Sequence, residues 1–72
     1  MNYKDYLKEK GFKYHEGRDE WSKHFGFGKK ITCHNICSSL FHIEVNNKRF
    51  YSNFMKDFNE FKSVINKSLE NV

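Results

Sequence analysis

The sequence predicts a single small α+β domain in which two helices pack on one face of an antiparallel sheet. An amphipathic pattern with helical spacing fills the C-terminal part, and turn residues divide the middle into short segments of strand composition. The 72 residues are too few for a second core. We therefore expect residues 1–72 to form one domain with a short N-terminal helix, a meander of three to five strands and a long C-terminal helix.

The first predicted element is a helix over Asn2–Lys10. Tyr3, Tyr6 and Leu7 fall on one side at helical spacing, and Gly11 follows where a left-handed residue would end the helix. Because the segment has barely two turns, its apolar side chains must dock on the rest of the domain.

The middle of the chain is predicted to form strands. Gly17-Arg18-Asp19, Gly28-Lys29 and Asn46-Asn47 supply turn residues between them. The predicted strand segments are Phe12–Glu16, Glu20–Phe27, Lys30–Ile36, Ser39–Val45 and Lys48–Asn53.

Two hairpin registers follow from these turns. A two-residue Asn46-Asn47 loop pairs Ile43 with Phe50 and Phe41 with Ser52 on an apolar face, and Glu44 with Arg49 and His42 with Tyr51 on the other. For the earlier hairpin, a Gly28-Lys29 turn pairs Trp21 with Ile36 and Phe25 with Thr32 on one face, and His24 with Cys33 on the other.

The C-terminal segment carries the clearest helical signal. Apolar residues recur at intervals of three or four, namely Phe54, Phe58, Phe61, Ile65, Leu69 and Val72. Asn53 can cap an early start, or Asp57 with Glu60 can form a capping box one turn later.

Composition excludes several classes of protein. An aromatic share of 18% argues against a disordered chain, and no apolar stretch approaches the roughly 20 residues of a membrane span. Charges at Asp5, Lys8 and Glu9 interrupt the N-terminus where a secretory signal would be apolar, so we expect a cytoplasmic protein. The net charge of +4 permits an anionic partner without requiring one.

One group of cysteine and histidine residues is spaced along the chain as metal ligands often are. Cys33, Cys37 and His42 offer thiolate and imidazole groups, which zinc prefers, with His24 or His34 nearby. The alternative is that both cysteines are reduced, buried sheet residues. We expect no cofactor, with zinc on these residues as the alternative.

Basic and aromatic residues also alternate in a way that suits a nucleic-acid surface, because phosphates need cations and unpaired bases need stacking faces. These residues are Trp21, Lys23, His24, Phe25, Lys30, His34, Lys48, Arg49 and Tyr51. The predicted order of elements is also that of double-stranded-RNA-binding domains, although Ser52–Asp57 lacks their Gly-rich and Lys-rich entry to the second helix.

The first half of the chain also permits the hypothesis that the protein is an enzyme. The pattern of Leu7, Gly11 and Phe12, then Ser22-Lys23-His24 and Gly28–Thr32, resembles HicA-type toxins, a family of small messenger-RNA-cleaving proteins. The resemblance implies that His24 acts as general acid and base.

We expect instead a non-enzymatic protein-binding module, of the kind with which phages and mobile elements bind and inhibit a host protein. Aromatic residues and Arg are enriched among interface anchors, and an uncovered sheet face or edge could also support a homodimer. The far face of the sheet and the Trp21–Lys30 hairpin are the predicted binding surface. Its residues are Trp21, Lys23, Phe25, Lys30, His42, Arg49 and Tyr51.

Overall fold

The computed structural model describes residues 2–36, 40–52 and 57–72. It confirms a small α+β domain with an antiparallel meander of five strands between two helices. The elements are α1 (Tyr3–Glu9), β1 (Lys13–His15), β2 (Glu20–Gly26), β3 (Lys29–His34), β4 (His42–Val45), β5 (Lys48–Tyr51) and α2 (Phe58–Glu70). No helix in these ranges is long and apolar enough to cross a membrane.

Helix α1 ends as predicted. The Phe12 N–H donates to the Leu7 carbonyl at 2.9 Å and the Gly11 N–H donates to the Lys8 carbonyl at 3.0 Å, which together form a Schellman motif. Gly11 has φ +92°, a conformation that costs glycine little. The reversal carries Phe12 directly into the core.

Helix α2 begins after Asp57, whose side chain accepts a hydrogen bond from the Glu60 N–H at 2.8 Å. This confirms Asp57 as a cap among the two predicted alternatives. The other alternative, Asn53, lies outside the described residues.

The β4–β5 hairpin has the predicted turn, because Asn46 and Asn47 adopt φ values of +54° and +68°. The predicted pair of Glu44 with Arg49 is also confirmed, but a bulge follows it. Ile43 therefore faces Tyr51, and the predicted Ile43–Phe50 and His42–Tyr51 pairs are wrong. An extra residue in one strand reverses which face the later residues occupy.

The β2–β3 hairpin turns through Phe27 and Gly28 rather than Gly28 and Lys29. With a bulge between His24 and Gly26, the register moves by three residues from the prediction, and Trp21 pairs with Cys33. The predicted pairs of Trp21 with Ile36, Phe25 with Thr32 and His24 with Cys33 are therefore wrong.

The core lies between the helices and one sheet face. Its apolar members with no exposed surface are Leu7, Ile31, Cys33 and Ile43, together with Phe61 and Ile65 of α2. Phe50, which was predicted to join this core, is exposed because it stands in the β5 bulge. The core occupies a single side of the sheet, and the other side remains for polar residues.

Candidate functional site

The sheet face opposite the helices, here called the polar face, carries the histidines. Cross-strand pairing places Ser22 beside Thr32 and Thr32 beside Glu44, and these alternate with the core residues. The same alternation puts all four histidines of the chain on this face, one from each of the first four strands: His15, His24, His34 and His42.

Two of these histidines lie in a cluster with two glutamates. His34 Nδ1 is 3.3 Å from a Glu20 carboxylate oxygen, and His34 Nε2 is 3.0 Å from Glu44 Oε1. The His34 and His42 rings stack with centroids 4.3 Å apart and an interplanar angle of 10°. The four residues, Glu20, His34, His42 and Glu44, are called the His–Glu cluster below. Each is half-buried, so the cluster is open to solvent on one side.

A shallow cavity of about 230 Å³ lies towards β1. His15 Nε2 and Ser22 Oγ share a hydrogen bond of 2.6 Å in its wall. His24, the residue that the resemblance to HicA-type toxins implies as acid and base, also lines it and is exposed. The structure thus gives His24 a cavity, and its catalytic role stays a prediction.

The tip of the β2–β3 hairpin, residues 25–28, projects from the domain and carries two phenylalanines. Phe27 is fully exposed at 103% of its reference area and has φ +56°. Phe25 is 38% exposed, and the Lys23 ammonium lies 5.4 Å from the centre of its ring.

Three of the predicted binding residues have structural roles instead. Trp21 is only 2% exposed and faces the core, where its ring packs against Tyr14. The Lys23 ammonium donates to the Lys10 carbonyl at 2.6 Å, which ties β2 to the C-terminal end of α1. Tyr51 lies on the helix face rather than the predicted far face, because the β5 bulge shifts its register.

The Tyr51 hydroxyl donates to Glu60 Oε1 at 3.1 Å, which joins the sheet to the first turn of α2. Desolvation and this carboxylate raise the pKa of Tyr51 above its ordinary value. The residue therefore connects two elements of the fold, and it is half-buried rather than displayed as an anchor.

The other predicted binding residues remain accessible but fall into two regions. Phe25 belongs to the hairpin tip, whereas Lys30, His42 and Arg49 belong to the polar face. The proposed nucleic-acid surface is divided in the same way, since Trp21 and Tyr51 lie on the helix side. The predicted residues thus do not form one continuous surface, and the nucleic-acid interpretation stays a prediction.

The zinc set predicted from sequence is also separated. Cys33 is fully buried on the helix face, while His42 lies on the polar face. Burial raises the pKa of the Cys33 thiol to about 12, which disfavours the thiolate that would bind a metal. Cys37 lies outside the described residues.

Sequence reasoning missed the His–Glu cluster because the strand registers were displaced. With the observed registers, Glu20 pairs with His34 and His34 pairs with His42, so a cross-strand row of three ionisable residues was present in the sequence. Comparisons with protein-family models, curated proteins and solved structures find no match to this chain.

Proposed function

We propose that this protein is a non-enzymatic module that binds a protein partner through the tip of its β2–β3 hairpin. The observation that carries the proposal is Phe27, a fully exposed aromatic residue in a left-handed backbone conformation. The proposed contact is insertion of this side chain into an apolar pocket of the partner.

Folding alone gives no reason for Phe27 at this position. A two-residue turn with positive φ favours Asn or Gly, as the Asn46-Asn47 turn of the same chain shows. A phenylalanine there incurs backbone strain of about 1–3 kcal/mol and gains no burial within the domain. Residues held this way are found disproportionately at ligand-contacting sites, and burial of an exposed Phe in a partner would recover apolar surface energy.

The surroundings of the tip suit a partner pocket with an acidic rim. Lys29 is exposed and begins the next strand directly after the tip, and the Lys23 ammonium, which also donates to the Lys10 carbonyl, lies beside Phe25. Such charges guide association and select against cationic partners, while the aromatic residue supplies the affinity. Inhibition of a host protein, as expected from the sequence, would follow if the occupied pocket is one that the host protein needs.

The test compares three tagged baits in cell lysate: the wild type, Phe27→Asn and Leu40→Ser. Phe27→Asn removes the aromatic ring but suits the turn, so it should fold at least as well as the wild type. Leu40 is 70% exposed and lies between β3 and β4, away from the tip, and serves as a control for general loss of exposed apolar surface. We expect one protein to be retained by wild type and Leu40→Ser, and lost with Phe27→Asn.

Calorimetry with the purified partner should then show a loss of about 2 kcal/mol or more for Phe27→Asn, as for an interface anchor. Equal affinity of the folded wild type and the folded Phe27→Asn variant for the partner would contradict binding through the hairpin tip. Retention of nucleic acid that weakens steeply with salt would instead support the nucleic-acid alternative, since phosphate contacts release counterions.

A further inference from the structure

We propose that the His–Glu cluster on the polar face is a zinc site, with His34, His42 and Glu44 as ligands and Glu20 as their supporting carboxylate. The site is separate from the hairpin tip and does not depend on the protein-binding proposal. Two imidazoles and one carboxylate form a ligand set that zinc accepts, with the fourth position left to water.

The three ligand groups are already close together. One potential ligand atom from each of His34, His42 and Glu44 lies within 4.8 Å of the other two. Tetrahedral zinc with bonds near 2.0–2.1 Å separates its ligand atoms by about 3.3 Å, so a movement of roughly an ångström or more brings them to bonding distance. The stacked imidazole rings must also splay so that their nitrogens converge on the ion. Side-chain rotation supplies this movement, because all three groups are on a half-buried, solvent-facing surface.

The second nitrogen of each imidazole has a partner that orients the ring for metal binding. The Glu20 carboxylate lies 3.3 Å from Nδ1 of His34, and Nε2 of the same ring lies 3.0 Å from Glu44 Oε1, where the proposed ion would bind. The Leu40 carbonyl lies 3.3 Å from Nδ1 of His42 and accepts from it, which leaves Nε2 of that ring as the lone-pair donor. A carboxylate or backbone carbonyl behind the ligating histidine is the usual arrangement at protein zinc sites.

The supporting strands also favour this site over the cysteine set. β3 and β4 are interior strands of the sheet, and His34 pairs directly with His42 across them. This pairing fixes the distance between the backbones of the two histidines whose side chains would bind the ion. No rearrangement of the core is needed, whereas recruiting Cys33 would require it to leave the opposite face. The ion would join two neighbouring strands of the sheet, β3 and β4.

Titration of the metal-stripped protein with Zn²⁺ tests the proposal, with calorimetry and native mass spectrometry as readouts. We expect one zinc per chain, a higher melting temperature with zinc, and a cobalt-substituted spectrum without a sulfur-to-metal charge-transfer band. His42→Gln and Glu44→Gln should each weaken zinc binding by about tenfold or more. Glu20→Gln should weaken it by about tenfold to a hundredfold, as loss of a supporting carboxylate does.

His24→Gln is the matched control, because His24 lies on the same polar face, is exposed, and is outside the cluster. Its zinc affinity should stay within about twofold of the wild type, and circular dichroism should show that every variant is folded. The proposal is overturned if the wild type fails to bind zinc at about 100 μM. It is also overturned if folded Glu44→Gln and His42→Gln both bind as tightly as the wild type, or if cobalt shows thiolate ligation.

Discussion

Replacing Phe61 by alanine should test whether the interhelical aromatic cluster is the main source of stability in this domain. Phe61 has no exposed surface, and its ring contacts those of Tyr3 and Phe58 on the helices and Phe41 beside the sheet. The nearest of these, the ring of Tyr3, stands edge-on at a centroid distance of 4.7 Å. Loss of the ring therefore leaves a cavity bordered by α1, α2 and the sheet.

The expected cost is about 3–5 kcal/mol for a fully buried Phe→Ala change. A domain of 72 residues has a total stability of about 4–11 kcal/mol, so this variant should be largely unfolded or close to it. Phe58→Ala is the comparison, because Phe58 is half-buried at the edge of the same cluster. Its cost should be about half as large, and Phe61→Leu should lose about 1–2 kcal/mol and remain folded.

Urea denaturation followed by circular dichroism measures all three variants. Similar unfolding midpoints for Phe61→Ala and Phe58→Ala would refute the reasoning, since they would mean that the two rings are equally buried. A loss below about 1 kcal/mol for Phe61→Ala would show that the helices do not pack on the sheet through this residue.

Three further predictions concern titration, capping and the sheet–helix contact. Burial raises the pKa of Cys33 from 9.0 to about 12, so its contribution to stability is complete below pH 9 and is lost as the pH rises towards 12. Between pH 8 and pH 10 the wild type should lose about 1.4 kcal/mol more than Cys33→Ala in urea unfolding, and equal losses would contradict this burial. Asp57→Ala should cost about 1 kcal/mol through loss of the α2 cap, with Asp57→Asn nearly neutral as its control in thermal melts. Tyr51→Phe should cost about 0.5–1.5 kcal/mol because it removes the hydrogen bond to Glu60. Arg49→Gln on the exposed polar face should stay within about 0.5 kcal/mol in the same urea unfolding, and a larger cost for Arg49→Gln than for Tyr51→Phe would contradict the assignment of the two faces of β5.

Local chemistry made the elements of this fold predictable. Gly11 ends the first helix, Asp57 begins the last, and Asn46-Asn47 turns the final hairpin, each through backbone preferences that act over a few residues. The spacing of Phe61, Ile65 and Leu69 likewise identifies a helix that needs a sheet to cover its apolar side. Predictions of this kind succeeded because their causes are contained in short segments.

It was harder to predict which side chains lie on which face of the sheet, because a single bulge moves the residues that follow it to the opposite face. The sequence around Gly26 and Phe50, where the bulges occur, is compatible with several strand registers. Aromatic residues in these strands can occupy either a core or an exposed position. The sequence pattern therefore predicts Trp21 as a surface anchor, although it is buried, and Phe50 as a core residue, although it is 38% exposed.

The sequence by itself determined the order and type of the elements, the single domain and most of the helix and turn boundaries. Only the tertiary structure decided that Tyr51 contacts α2, that Phe27 is fully exposed at a turn, and that His34 lies between two glutamates. The physical reason is the distance along the chain over which each feature is determined. Caps and turns depend on residues a few positions away, whereas these contacts depend on strand register, which is set when the whole sheet packs against the helices.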